Sequence, residues 1–198
     1  MTEDKALWIN QALHGDQDAF GFLVEAYQNQ VYSLCFRMLG NTHDAEDAAQ
    51  ESFIRAYQNL KRYDPNRSFA TWILSITAHY CIDRIRKRRL PSSSFDLLQA
   101  EVIPDRYAPE PEKSLRKQEK EIALQNLLKE LKPIDRAAII LRYWDDCSEV
   151  EIAETLDLSV SSVKSRLFRA RKKLAKSWLI YQQTVALKER RTHESPAL

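Results

Sequence analysis

Between Phe20 and Met38 an apolar side chain returns every three or four residues, at Phe20, Leu23, Val24, Tyr27, Val31, Leu34, Cys35 and Met38, and the run stops at Gly40. That spacing lays all of them on one stripe of an α-helix and on no single face of a strand. Two more stretches obey the same rule. Ala45, Ala48, Ala49, Phe53, Ile54 and Tyr57 line the inner side of a helix from about Asp44 to Leu60, and Phe69, Trp72, Ile73, Ile76, Tyr80, Ile82 and Ile85 line another that ends before Pro91. A shorter helix over about Lys5 to Leu13 precedes them, and Asp64, Pro65 and Asn66 make Arg62 to Ser68 a loop. Helices with one apolar stripe each bury those stripes against one another, so this part predicts a bundle. Only three of the 198 residues are glycine, while the chain is rich in Ala, Leu, Gln, Glu, Lys and Arg, which leaves few turn residues for hairpins and predicts an all-α fold.

The pattern lapses from Pro91 to about Lys113, where Ser92 to Ser94, Pro104, Pro109 and Pro111 mix with Glu101, Asp105, Glu110 and Glu112. Such a stretch reads as an acidic linker. Helical spacing returns with Ile122, Leu124, Leu127, Leu128 and Leu131, breaks before Pro133, and resumes with Ala137, Ile140, Leu141 and Trp144. The expected organisation is therefore a first helical domain over residues 1–90, a linker over 91–114, a second small helical domain over 115–176 and a C-terminal extension over 177–198. The extension starts as a helix through Trp178, Leu179, Tyr181, Val185 and Leu187; packing on the second domain and meeting a partner are both open readings of it.

A formal net charge of +2 is too small to announce a polyanion binder, but the charge is clustered. Arg84, Arg86, Lys87, Arg88 and Arg89 form one basic run, Lys164, Arg166, Arg169, Arg171, Lys172, Lys173 and Lys176 a second, and Asp44, Glu46, Asp47 and Glu51 an acidic block. Cys35, Cys81 and Cys147 are odd in number and lack metal-type spacing, which suits packing thiols in a reducing compartment. The N-terminus, Thr2, Glu3, Asp4, carries no signal-like pattern, and no apolar run is long enough to span a bilayer, so a cytoplasmic protein without membrane insertion is expected. With no Gly-rich phosphate loop, no metal-spaced His and Cys set and no Ser, His, Asp arrangement, neither a catalytic role nor a metal or cofactor is expected.

Ser148 and Glu151 fit a capping box that opens a short helix with Ile152, Ala153 and Leu156 turned inward. Asp157 tolerates the left-handed backbone of a tight turn, and Ser159 is placed to cap the next helix, through Val163, Leu167, Ala170 and Leu174. Two helices so joined make a helix-turn-helix. The polar side of the second shows Ser161, Ser162, Lys164, Ser165, Arg166 and Arg169, short hydroxyls and cations suited to base edges and phosphates in a major groove, with Arg171 beyond them. A capped helical hairpin with a solvated basic face is the plainer reading of the same residues.

Several motifs together carry a more specific resemblance. DAEDAAQESF at residues 44–53, FATWILSI at 69–76, IDR at 82–84, EIA at 151–153 and VKSRLFRAR at 163–171 resemble, in order, the sigma-70 family of bacterial RNA polymerase subunits, extracytoplasmic-function subgroup. The likeness runs from about Asp16 to Ala175.

That resemblance implies that the first domain is sigma region 2 and the second is region 4. Asp47, Gln50, Glu51, Arg55 and Asn59 would dock on the clamp helices of the polymerase beta-prime subunit, and region 4 would meet the beta flap. Region 4 would read duplex DNA at the -35 element through Ser161, Ser162, Lys164, Ser165, Arg166, Arg169 and Arg171. Region 2 would read and open the -10 element, holding a single strand through Arg62, Tyr63, Asn66, Arg67, Ser68, His79 and Arg84, with Arg86, Lys87 and Arg88 on its backbone. Trp72 is assigned to the core. The acidic linker would either imitate a transcript in the polymerase channels or serve as a solvated tether, and an anti-sigma factor is an implied partner. His79 stands where the family commonly has Asn, and Ser161-Ser162 where it often has Gly-Thr, so base preference is expected to differ. The competing function is a stand-alone dimeric helix-turn-helix regulator, which would need no polymerase to bind a palindrome.

Overall fold

The computed structural model describes residues 3–88 and 111–193, with side chains over 4–88 and 120–184. Most of the expected linker and the last residues of the extension lie outside them. Eight α-helices occur among the described residues: α1 Glu3–Leu13, α2 Gln17–Leu39, α3 Thr42–Asn59, α4 Phe69–Arg88, α5 Pro111–Lys129, α6 Pro133–Tyr143, α7 Glu149–Leu156 and α8 Val160–His193. A single 3-10 turn, Leu60–Arg62, follows α3.

Helix boundaries follow the local chemistry. Asp16 caps α2 by accepting from the Ala19 amide at 3.1 Å, and Asn41 caps α3 by accepting from the Asp44 amide at 2.7 Å; each cap satisfies an amide that the first turn leaves unpaired. At the other end of α2, Gly40 takes a φ of 82° and donates to the Phe36 carbonyl at 2.8 Å, a left-handed turn that glycine adopts without strain. The apolar stripe of α2 is buried as its spacing predicts: Leu23, Val31, Leu34, Cys35 and Met38 are wholly inaccessible.

Two boundaries differ from expectation. The helix after the linker starts at Pro111 rather than near Leu115, because proline is favoured at a first helical position, where its missing N–H is not needed. The extension expected from residue 177 does not start a new element: α8 runs from Val160 to His193 without a break, since nothing between Leu174 and Trp178 stops a helix.

The two helix groups pack against each other. A continuous apolar core joins α1–α4 to α6–α8, with α2 packed on α6 and α4 on both α6 and α7. Aromatic rings stiffen the first helix group, where Tyr63, Phe69 and Trp72 stand 5.2–5.5 Å apart centroid to centroid. No described helix is long and apolar enough to cross a membrane.

Candidate nucleic-acid interface

The helix-turn-helix forms as its sequence dictates. Ser148 and Glu151 make both arms of the capping box: the Glu151 amide donates to Ser148 Oγ at 3.2 Å and the Ser148 amide to Glu151 Oε2 at 2.7 Å. Those hydrogen bonds hold the Glu151 carboxyl below the ordinary carboxylate range. Asp157 turns the chain with φ 53° and ψ 53°, and the Ser162 amide donates to Ser159 Oγ at 3.2 Å to start α8. Ile152, Val163 and Leu167 lock α7 to α8 from the inside.

On the outward side, Ser161, Lys164, Ser165, Phe168 and Arg169 are exposed, one above another on a single face. Phe168 was not foreseen. It is 63% exposed, more than any other large apolar side chain among the described residues. The signal for it lay in its step, one residue off the buried Leu167 and so about 100° around the helix from the inner stripe. Two expected members of the face are placed differently. Arg166 turns toward α6 and pairs with Asp135 at 2.7 Å, three-quarters buried, and Arg171 donates back to the Leu167 carbonyl at 3.3 Å. Ser162 is half-buried, and Lys164 lies 3.7 Å from Glu149.

In the first helix group, a cleft of about 310 Å³ opens between α3 and α4, lined by Trp72 and Ile76 together with Arg55, Asn59, Arg62, His79, Tyr80 and Asp83. It brings together Arg62 and His79, from the expected -10 set, with Arg55 and Asn59, which had been assigned to the polymerase-facing set. Arg55 bonds Glu51 at 2.7 Å, lies 4.7 Å from the Tyr80 ring, and accepts the Asn59 side-chain amide on its carbonyl at 2.9 Å. Tyr80 and Asp83 were missed because apolar spacing and an ion-pair partner, here Arg86 at 3.7 Å, explain them equally well. His79 is exposed, and its Nδ1 bonds the Ser75 carbonyl at 2.8 Å.

Other members of the expected -10 set differ in burial and pairing. Tyr63 is inside, 5% exposed, its hydroxyl donating to the Arg67 carbonyl at 2.5 Å, so it shapes the loop rather than presenting a ring to solvent. Arg84 bonds Asp44 and lies 3.7 Å from Asp47, and Arg88 bonds Asp44 at 2.7 Å; both guanidiniums pair with α3. Asn66, Arg67, Ser68, Arg86 and Lys87 are exposed around the loop and the end of α4. The acidic block is thus partly internal. His43, Asp44 and Asp47 lie within 4.8 Å of one another, but the Asp44 oxygens are taken by Arg84, Arg88 and Asn41, which leaves a cation little to bind.

Another side of α3 is partly apolar, with Gln17, Gln50 and Gln58 among its lining. Phe20, Gly21 and Val24 of α2 and Gln50, Phe53, Ile54 and Tyr57 of α3 line a shallow groove of about 530 Å³, with Ile54 and Tyr57 nearly half exposed. Of the residues assigned to the polymerase, Gln50 lies in this groove and Asp47 and Glu51 lie beside it on α3.

Comparison with known proteins decides the family. Residues 23–90 match Sigma-70 region 2 and residues 121–174 match Sigma-70, region 4, and the ECF RNA polymerase sigma factor SigW of Bacillus subtilis is 40% identical over 177 residues, 85% of this chain and 93% of that protein. The chain belongs to the ECF sigma factors. It is therefore a promoter-recognition subunit of RNA polymerase. SigE of Mycolicibacterium smegmatis is 34% identical over 81% of this sigma factor and 63% of its own length. Among solved structures, CnrH in complex with the cytosolic domain of CnrY superposes with a TM-score of 0.64 at 26% identity, covering 88% of this sigma factor and 96% of that chain. RpoE of Bartonella quintana, solved with the anti-sigma factor NepR, gives 0.66 at 18% identity, with 81% and 97% coverage.

Proposed function

We propose that this sigma factor divides promoter reading between two unlike surfaces: the exposed face of α8 reads duplex DNA at the -35 element, and the α3–α4 cleft takes an unstacked base of the opened -10 element. The observation that carries this is the pairing of a capped helix bearing short hydroxyls, cations and one exposed ring with a cleft that has an aromatic floor and a polar rim. The first suits base edges and thymine methyls; the second suits a flat base separated from its neighbours. Asn66, Arg67, Ser68, Arg86 and Lys87 line the strand's path on the outside. The domain borders at residues 90, 114 and 176 belong to the same proposal.

The apolar groove of α2 and α3 meets the beta-prime clamp helices, with Asp47 and Glu51 on its rim, and region 4 meets the beta flap. The polymerase supplies the chemistry, and this chain works in the cytoplasm without a cofactor. An anti-sigma factor is its regulatory partner, in keeping with the complex in which the Bartonella factor was solved. A dimeric regulator acting alone is not favoured, because both surfaces and the family point to the polymerase.

Run-off transcription with core polymerase on a promoter library tests the assignment. His79→Asn is expected to shift preference within the -10 element and leave the -35 preference alone; an unchanged profile removes His79 from base reading. Phe168→Ala is expected to weaken binding to -35 duplex about fivefold to tenfold, the equivalent of about 1–1.4 kcal/mol, with core association retained. Equal affinity would place the readout elsewhere on α8.

A further inference from the structure

The three cysteines are scattered along the chain, yet the fold brings two of them together. Cys35 of α2 and Cys81 of α4, 46 residues apart, are both wholly inaccessible, and the Cys81 thiol donates to Cys35 Sγ at 3.8 Å. Leu34, Ala78 and Ile82 beside them are buried as well, so the pair lies inside the seam where α2 packs on α4. It lines neither the groove nor the cleft. Cys147 stands apart, with its thiol on the Asp145 carbonyl at 3.6 Å.

Two thiols in contact can pack, bind a metal or exchange electrons. A structural zinc site takes four ligands, and among the described residues no third His, Cys, Asp or Glu ligand atom joins this pair. Packing needs no sulfur, since a small apolar side chain fills such a seam equally well. Joining the sulfurs needs two of them, and needs them close. They must move from 3.8 Å to the roughly 2.0 Å of a disulfide, a closure on the scale of side-chain rotation rather than of helix movement.

We propose that Cys35 and Cys81 form a modification site at which hydrogen peroxide converts two packing thiols into a disulfide that ties α2 to α4. The steps balance with peroxide as the oxidant. The thiolate of one cysteine attacks a peroxide oxygen, the O–O bond breaks, and hydroxide leaves a sulfenic acid on that sulfur. The second sulfur then attacks the first, the S–O bond breaks, and the departing oxygen takes the second thiol's proton to leave as water. Two thiols have lost two electrons and two protons, and one peroxide has become two waters. Burial sets the order of events. The hydrogen bond with Cys81 and the loss of solvent push the Cys35 thiol up, while the charge of Arg84, further along α4, favours the thiolate. The first step therefore waits for a local opening of the seam, whereas the second follows at once, because the partner is already in contact. The same burial leaves no room for further oxygens, so a disulfide forms rather than a sulfinic acid. Closing a loop of this length restricts the unfolded chain, so the oxidised helix group is harder to unfold than the reduced one.

The test uses the full chain carrying Cys147→Ala, so that only the pair remains, treated with hydrogen peroxide in the absence of denaturant. Intact mass is expected to fall by two hydrogens. Both thiols are expected to resist alkylation in urea once the peroxide is quenched, and digestion to yield one Cys35–Cys81 cross-linked peptide that dithiothreitol separates. The oxidised chain is expected to melt at least about 5 °C above the reduced one. Cys81→Ala in the same background is expected to show neither the mass loss nor the gain in melting temperature. Because that variant also leaves a void in the core, the chemistry of the unsubstituted pair decides. Thiols still open to alkylation after peroxide, a cross-link that forms only when urea is present during oxidation, or products that gain oxygen without a cross-link would overturn the modification site. A cross-link that leaves the melting temperature unchanged or lower would overturn the tie between α2 and α4.

Discussion

Asp44→Ala lowers the melting temperature of the full chain by about 5–10 °C at neutral pH, the expected result of losing about 2–3 kcal/mol from a carboxylate that neutralises two guanidiniums. Asp44 is 5% exposed and is bonded by Asn41, Arg84 and Arg88. The effect stays below that of a fully buried pair because the Arg84 and Arg88 side chains are 25% and 44% exposed, so water recovers part of the loss. Burial alone would raise the Asp44 pKa, but hydrogen bonds from Arg88 and Asn41 and the charges of Arg84 and Arg88 more than reverse it, leaving the carboxyl below its ordinary value. A carboxyl depressed on folding stabilises the native state above its unfolded pKa of about 4, and that contribution disappears as pH falls through the folded value. Calorimetry of both proteins at pH 7 and pH 3 is expected to show the gap narrowing on acidification. A gap of the same size at both would mean that packing, not charge, ties α3 to α4 here.

Ile54→Asp is the variant expected to cost most in function, with core-polymerase affinity falling at least about 30-fold, the loss associated with removing an apolar anchor from the centre of an interface. Ile54 is 44% exposed on the groove between α2 and α3, so a carboxylate there meets water in the free factor and little stability is lost, within about 0.5 kcal/mol. In the complex the same carboxylate would be stripped of water in a groove lined on this side by Phe20, Val24, Phe53 and Tyr57. Asp47→Asn, on the rim, is expected to act weakly and mainly at low salt. Titration of a labelled factor with core polymerase separates the cases. Full affinity for Ile54→Asp would move the docking surface off this groove, whatever the rim variant did.

The contrast between Ile54 and Arg84 shows where reading from sequence succeeds and where it stops. Apolar spacing located α2, α3 and α4, and cap chemistry at Ser148, Glu151, Asp157 and Ser159 located the helix-turn-helix, since each depends on neighbours within a turn or two of the chain. Ile54 was assigned to the inner side of α3 by the same spacing, yet it lies on an open groove, because a stripe can be wider than the partner that covers it. Arg84 and Arg88 are assigned to DNA by the family resemblance, and Arg166 by its place on the polar side of the second helix of the helix-turn-helix. Only three dimensions bring Asp44 and Asp135 against them from 31 or more residues away.

What the amino-acid order determined by itself is the set of helices, their ends and the family whose motifs they carry, all consequences of local backbone chemistry and periodicity. What tertiary structure alone decided is which charged side chains pair with distant carboxylates, which residues share the α3–α4 cleft, and that the Arg136 guanidinium joins one helix group to the other through the Met38 carbonyl. Those outcomes depend on pairings between distant segments and on a backbone group that every residue possesses, so no side-chain pattern along the chain announces them.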